Sequence, residues 1–128
     1  MLITKLDTGI SRHVGNYSDA VVVNPNARWL YTSGTPGLDS AGNLPDDIEG
    51  QAQLVWQNIF AAIAAAKMQP SDLVKTIAYV TRAEDIPAFV RVRAKWLGDI
   101  RPAQMLLLTP GFVNPKFLVE VEAIAAAE

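Results

Sequence analysis

The chain has 128 residues, with 11 basic and 13 acidic side chains for a formal net charge of −2, one histidine and no cysteine. No basic block is present to meet a nucleic-acid backbone. The missing cysteines exclude disulfides, thiolate metal sites and cysteine nucleophiles, and they fit a reducing compartment.

The opening stretch, MLITKLDTGISRH, lacks the apolar core of a signal peptide. No run approaches the ~20 apolar residues of a membrane helix. The expectation is a soluble cytoplasmic protein without a membrane partner, folded as one domain over residues 1–128. After a short strand at Leu2 to Lys5, the runs DAVVVN (Asp19 to Asn24) and RWLYTSG (Arg28 to Gly34) flank NPNA. Their β-branched and aromatic content predicts a β-hairpin with a loop of about four residues. A Gly/Pro/Asp-rich loop leads to a long helix, in which Ile48, Ala52, Val55, Ile59, Ala62 and Ala66 recur at helical spacing. Asp46 and Asp47 suit its positive N-terminus, and it stops before Pro70.

LVKTIAYVT (Leu73 to Thr81) reads as a strand apolar on both faces. The second helix starts at an Asp85 N-cap, which puts Pro87 in the first turn, and Gly98 suits its end. Two strands close the chain, Ala103 to Thr109 and Lys116 to about Ala127. The order ββαβαββ predicts an α+β fold: one mixed sheet with both helices on one face.

The other face of that sheet bears on function. Along the last strand Phe117, Val119, Val121, Ala123 and Ala125 share one side, while Leu118, Glu120, Glu122 and Ile124 share the other. The second set is too apolar to face water alone and carries two carboxylates. Half the residues are hydrophobic and the mean hydropathy is +0.16, rich for so small a chain. A symmetric homo-oligomer that buries this face, with the carboxylates at clefts, answers both points.

His13 reads as a loop histidine, and no metal is expected because no cluster has ligand spacing. TSGTPG (Thr32 to Gly37) lacks the Gly-Lys-Ser/Thr ending of a phosphate loop. It is either a plain turn or a place where Gly34 lets backbone N–H groups approach a ligand. Glu120 and Glu122 on a mostly apolar face need a partner or a role, and an ion-pair network or a functional site would each supply one.

In this order the pieces resemble the Rid family (reactive intermediate deaminases, YjgF-like) over nearly the whole chain. VGNYSDAVVV is similar to the family's Ile-Gly-Pro-Tyr-Ser-Gln-Ala-Val opening, LYTSG to its strand ending in Ser-Gly, and DLVKTIAYVT to its Val-Lys-Thr strand. LVEVEAIAA is similar to the closing Ile-Glu-Ile-Glu-Ala-Ile-Ala. The resemblance implies a chorismate-mutase-like fold and a homotrimer with clefts between subunits. It also implies a cofactor-free reaction, hydrolysis of a reactive enamine or imine to a carbonyl compound and ammonia. By motif, Glu120 matches the water-orienting glutamate, Ser33 and Gly34 the turn that offers a backbone N–H, and Tyr17 the tyrosine that closes the pocket.

One position departs. RPAQM stands where the family has Pro-Ala-Arg, so Gln104 replaces the arginine that holds the substrate carboxylate. An amide has no charge and no guanidinium fork. The substrate is then non-standard, or Arg93 or Arg12 supplies a cation, against the plainer readings of an interface ion pair for Arg93 and surface solvation for Arg12. The alternative to an enzyme is a non-catalytic trimer that binds a small metabolite in the same cleft. Ribonuclease activity, described for some family members, fits the acidic balance poorly.

Overall fold

Residues 2–128, those described by the computed structural model, build a helical layer on a sheet. In chain order the elements are β1 (Ile3–Leu6), β2 (Ala20–Val23), β3 (Arg28–Tyr31), β4 (Thr35–Pro36), α1 (Ile48–Ala65), β5 (Leu73–Val80), α2 (Ile86–Leu97), β6 (Ala103–Leu108) and β7 (Val119–Ala127). The main sheet runs β3-β7-β5-β6, with β4 also pairing β7. The β5–β6 pair is parallel and the others are antiparallel. The expected α+β layering is the one found.

The predicted hairpin is not. β2 pairs with β1 in a separate two-stranded ribbon, and β3 pairs with β7. Asn26 does adopt the left-handed conformation of a turn, with φ of 70°. The bend is therefore real, but β3 gains more by setting Leu30 beside Ala125 over the core than by pairing its neighbour in sequence. The ribbon docks at the sheet edge through Ser18, whose N–H donates to the Pro102 carbonyl at 3.1 Å and whose hydroxyl donates to the Arg101 carbonyl.

Helix α1 is capped by Asp47, whose Oδ1 accepts the Gly50 N–H at 3.0 Å. Lys67, at φ 58°, and a Met68 N–H bond to the Ile63 carbonyl end it. Its buried stripe is Ile48, Ala52, Val55, Trp56, Ile59 and Ile63. Trp56 and Ile63 thus take the place expected of Ala62 and Ala66. Helix α2 adds Phe89, Val92 and Leu97, and the sheet adds Ala78, Val80, Val119, Val121, Ala123 and Ala125. Trp56 and Phe89 meet at 6.3 Å between centroids. Truncating either would cost about 3–5 kcal/mol.

The opposite face carries Ile77 and Tyr79 of β5 beside Glu122 and Glu120 of β7, with Met105 and Leu107 of β6 in register and Tyr31 beside Ile124. Tyr31 is 68% exposed, Met105 54% and the neighbouring Trp29 47%, so this face is apolar and open in a single chain.

Candidate functional site

The sequence-selected residues fall into two groups. The first lies on the open sheet face. Glu120 pairs with Tyr79 on one side and Pro36 on the other, which puts its side chain beside the turn after β3. A Cβ built on Gly34 would lie 2.6 Å from Glu120 Oε1, so only glycine leaves this carboxylate its place. Burial pushes the Glu120 pKa above its ordinary value. Ser33 is exposed at the same turn, where its carbonyl accepts the Thr35 hydroxyl at 3.0 Å. Next to this group, Tyr79 Oη donates to Glu122 Oε1 at 2.8 Å. That bond, then burial and the charge of Glu122, raise the tyrosine's pKa. Glu122 therefore has a structural partner, and Glu120 has no carboxylate-binding cation near it among the described residues.

The second group lies on the helix side. Gln104 is in register with Thr76, a buried residue of the inner face. It lines a cavity of about 510 Å³ together with Tyr17, Asn16, Arg93, Arg101 and the apolar wall of α2. The opening segment is held there by Asp19. Its carboxylate accepts the N–H groups of Thr8 at 2.7 Å, Ser11 at 2.8 Å and Gly9 at 3.2 Å. Burial alone would raise the Asp19 pKa, but those donors bring it below the ordinary value. Tyr17 is half-buried at the mouth.

Within one chain the structure thus brings Gly34 to Glu120 and Tyr17 to Gln104, with the two pairs on opposite faces of the sheet. His13 is exposed in a short helical turn at Ser11–His13. Arg12 pairs with Asp7 at 3.1 Å, with both side chains more than half exposed. Among the described residues no group of His, Asp or Glu could hold a metal ion, and no helix is long and apolar enough to cross a membrane.

Sequence reading missed the residues that set the first group. Gln51 on α1 is 1% exposed. Its Nε2 donates to the Pro45 and Lys116 carbonyls at 2.9 and 3.2 Å, and its Oε1 accepts the Leu118 N–H at 2.8 Å. This ties the helix to the start of the strand that carries Glu120. Asn58 does the same for the Gly34 loop, donating to the carbonyls of Pro36 and Leu38 at 3.1 and 2.9 Å. Amides on a helix read as solvent-facing, and only their spacing of seven on the Gln51 side of α1 hinted otherwise.

The family model described as Endoribonuclease L-PSP matches residues 10–127. The chain belongs to the Rid (YjgF-like) family. A RutC family protein of Pyrococcus horikoshii is 30% identical over 118 residues, 90% of each chain. A YjgF-family protein of Mycobacterium tuberculosis is 29% identical, with a TM-score of 0.70 over 98% of this chain and 99% of that one. A Rid protein of Yersinia pestis superposes with a TM-score of 0.86 over 99% of this chain and all of the other, at 23% identity. That last likeness speaks to the Rid fold alone.

Proposed function

We propose that this Rid protein hydrolyses a reactive enamine or imine to a carbonyl compound and ammonia, in a site shared between copies of the chain. The observation that carries the reading is Glu120: a partly buried carboxylate held against a glycine turn on an apolar sheet face. The enamine first tautomerises to its imine. Glu120 accepts a proton from water as the oxygen adds to the imine carbon and passes that proton to the nitrogen, which returns the carboxylate to its ionised form. The resulting carbinolamine loses ammonia and leaves the carbonyl product. Burial makes the carboxylate a stronger base than one in water, and in this reading a turn N–H beside Gly34 polarises the substrate.

One chain holds only half of this arrangement on each sheet face. A trimer that covers the open face brings the Gly34–Glu120 pair of one copy to the Tyr17–Gln104 cavity of the next. Trp29, Tyr31, Met105 and Leu107 are the apolar surface that such an assembly removes from water.

The test is ammonia and keto-acid release from enzymatically generated 2-imino acids and larger enamines, measured above the spontaneous rate. Wild type should accelerate at least one member of the panel, and Glu120→Gln should lose about 10²–10⁴ of that acceleration. No acceleration across the panel overturns the reading in favour of a metabolite-binding trimer.

A further inference from the structure

Within one chain, the cavity that holds Gln104 is lined by two arginines and by no carboxylate. Arg101 is already committed, its Nη1 donating to the Gly98 carbonyl at 2.7 Å. Arg93 is not. Among the described residues its guanidinium has no ion pair and no hydrogen-bond acceptor. Its one specific contact is the Phe89 ring, 5.4 Å from the guanidinium carbon to the centroid. That contact fixes the side chain without using its five donors. Burial lowers the Arg93 pKa, a sign that solvent reaches this cation poorly. A guanidinium stays protonated nonetheless, so it stands half-buried with its hydrogen-bonding capacity unspent.

The rest of the cavity says what would spend it. Ile86, Val90, Leu97 and Leu106 make apolar walls, and Gln104 and Tyr17 offer neutral hydrogen bonds at the strand side. The volume of about 510 Å³ is in the range that holds a ligand well beyond three carbons.

We propose that Arg93 on α2 is the carboxylate-holding residue of this cavity, and that the ligand is an acid with an apolar body larger than a methyl group. The anion is thereby gripped from the helix, and the Gln104 amide is left for a neutral group. This identifies the substrate class of the deaminase reading and rests on it.

The experiment uses binding as well as turnover. Straight-chain 2-keto acids of three to six carbons, and the primary amide of the longest, are titrated into the full chain by calorimetry. Affinity for wild type should rise with chain length, and the amide should bind about 10- to 100-fold more weakly than its acid. Arg93→Met, which keeps the apolar stem, should lose the same factor for the acid and none for the amide. Arg93→Lys should restore part of it, and Arg12→Met should change nothing.

Equal binding of acid and amide, equal binding by Arg93→Met, or no binding of any acid at about 10 mM overturns the proposal. So does loss of assembly by Arg93→Met with acid affinity retained, which would make Arg93 an ion-pair residue between copies. Arg93-dependent binding without turnover leaves this assignment standing and sinks the deaminase reading. Turnover that ignores Arg93 does the reverse.

Discussion

The Glu120 carboxylate occupies the space that a side chain at Gly34 would need, with only 2.6 Å between Oε1 and a Cβ built there. The atom in the way is the far end of a flexible side chain, so Gly34→Ala displaces the carboxylate and leaves the frame intact. The expected outcome is a melting temperature within a few degrees of wild type, since alanine also restricts the unfolded chain by ~0.4–1 kcal/mol. Turnover should fall by about the factor that Glu120→Gln produces. Gly37→Ala is the contrasting case. Its Cβ would lie within 2.3 Å of the Gln51 backbone carbonyl oxygen, which cannot step aside. It should cost about 1–3 kcal/mol or more by urea denaturation.

Acidity should act on Glu120 in two ways. Its folded-state pKa is raised, so the ionised form costs stability above that pKa, and the cost vanishes as the pH falls through it toward the unfolded value. Glu120→Gln should therefore melt higher than wild type at neutral pH, with the gap closing on acidification. In the proposed role of Glu120 as base the ionised form is the active one, so kcat/KM should rise with pH through a midpoint above the ordinary glutamate value.

Gln51 satisfies two carbonyls and one N–H inside the protein. Gln51→Leu leaves all three without their partner, at about 1–3 kcal/mol for each buried group that water cannot reach. Denaturant unfolding should show a loss of at least about 3 kcal/mol.

Placing a charge at residue 104 is the sharpest probe of specificity. Gln104→Arg should raise kcat/KM for short 2-imino acids by about tenfold or more, since a charged hydrogen bond replaces a neutral one. Larger acids should gain less, because a third arginine then crowds the cavity.

Assembly and catalysis should fail together. Met105→Lys or Leu107→Glu puts a charge on the apolar sheet face, and sedimentation should report single chains without turnover. Mixing Glu120→Gln with Tyr17→Ala chains should regain activity that neither has alone, because some seams then unite two intact halves. Activity restored by no mixture would mean that one chain holds the whole site.

Much of this molecule is legible from side-chain spacing. The alternation along β7 assigns Val119, Val121 and Ala123 to the core and Glu120 and Glu122 to the other face, as found. The Asp85 start of α2 also follows from where Pro87 can sit, although a short helical turn at Ala83–Asp85 precedes it and the Asp85 carboxylate binds Arg82 at 2.8 Å. What fails is whatever depends on distant pairing. Turn chemistry at Asn26 shows that the chain bends, but not that β3 then joins a strand nearly a hundred residues away. The face on which Gln104 lies is likewise set by its register with Thr76, and nothing local records it.

The ribbon of β1 and β2 has a consequence for how such a protein changes over generations. It hangs from the sheet edge near Ser18, and the segment leading to Tyr17 is gathered around a single carboxylate, that of Asp19. Residues gained or lost between Asp7 and Tyr17 would reshape the rim of the cavity without disturbing α1, α2 or a strand of the main sheet. The rim can drift in this way while Glu120 stays bolted to the frame.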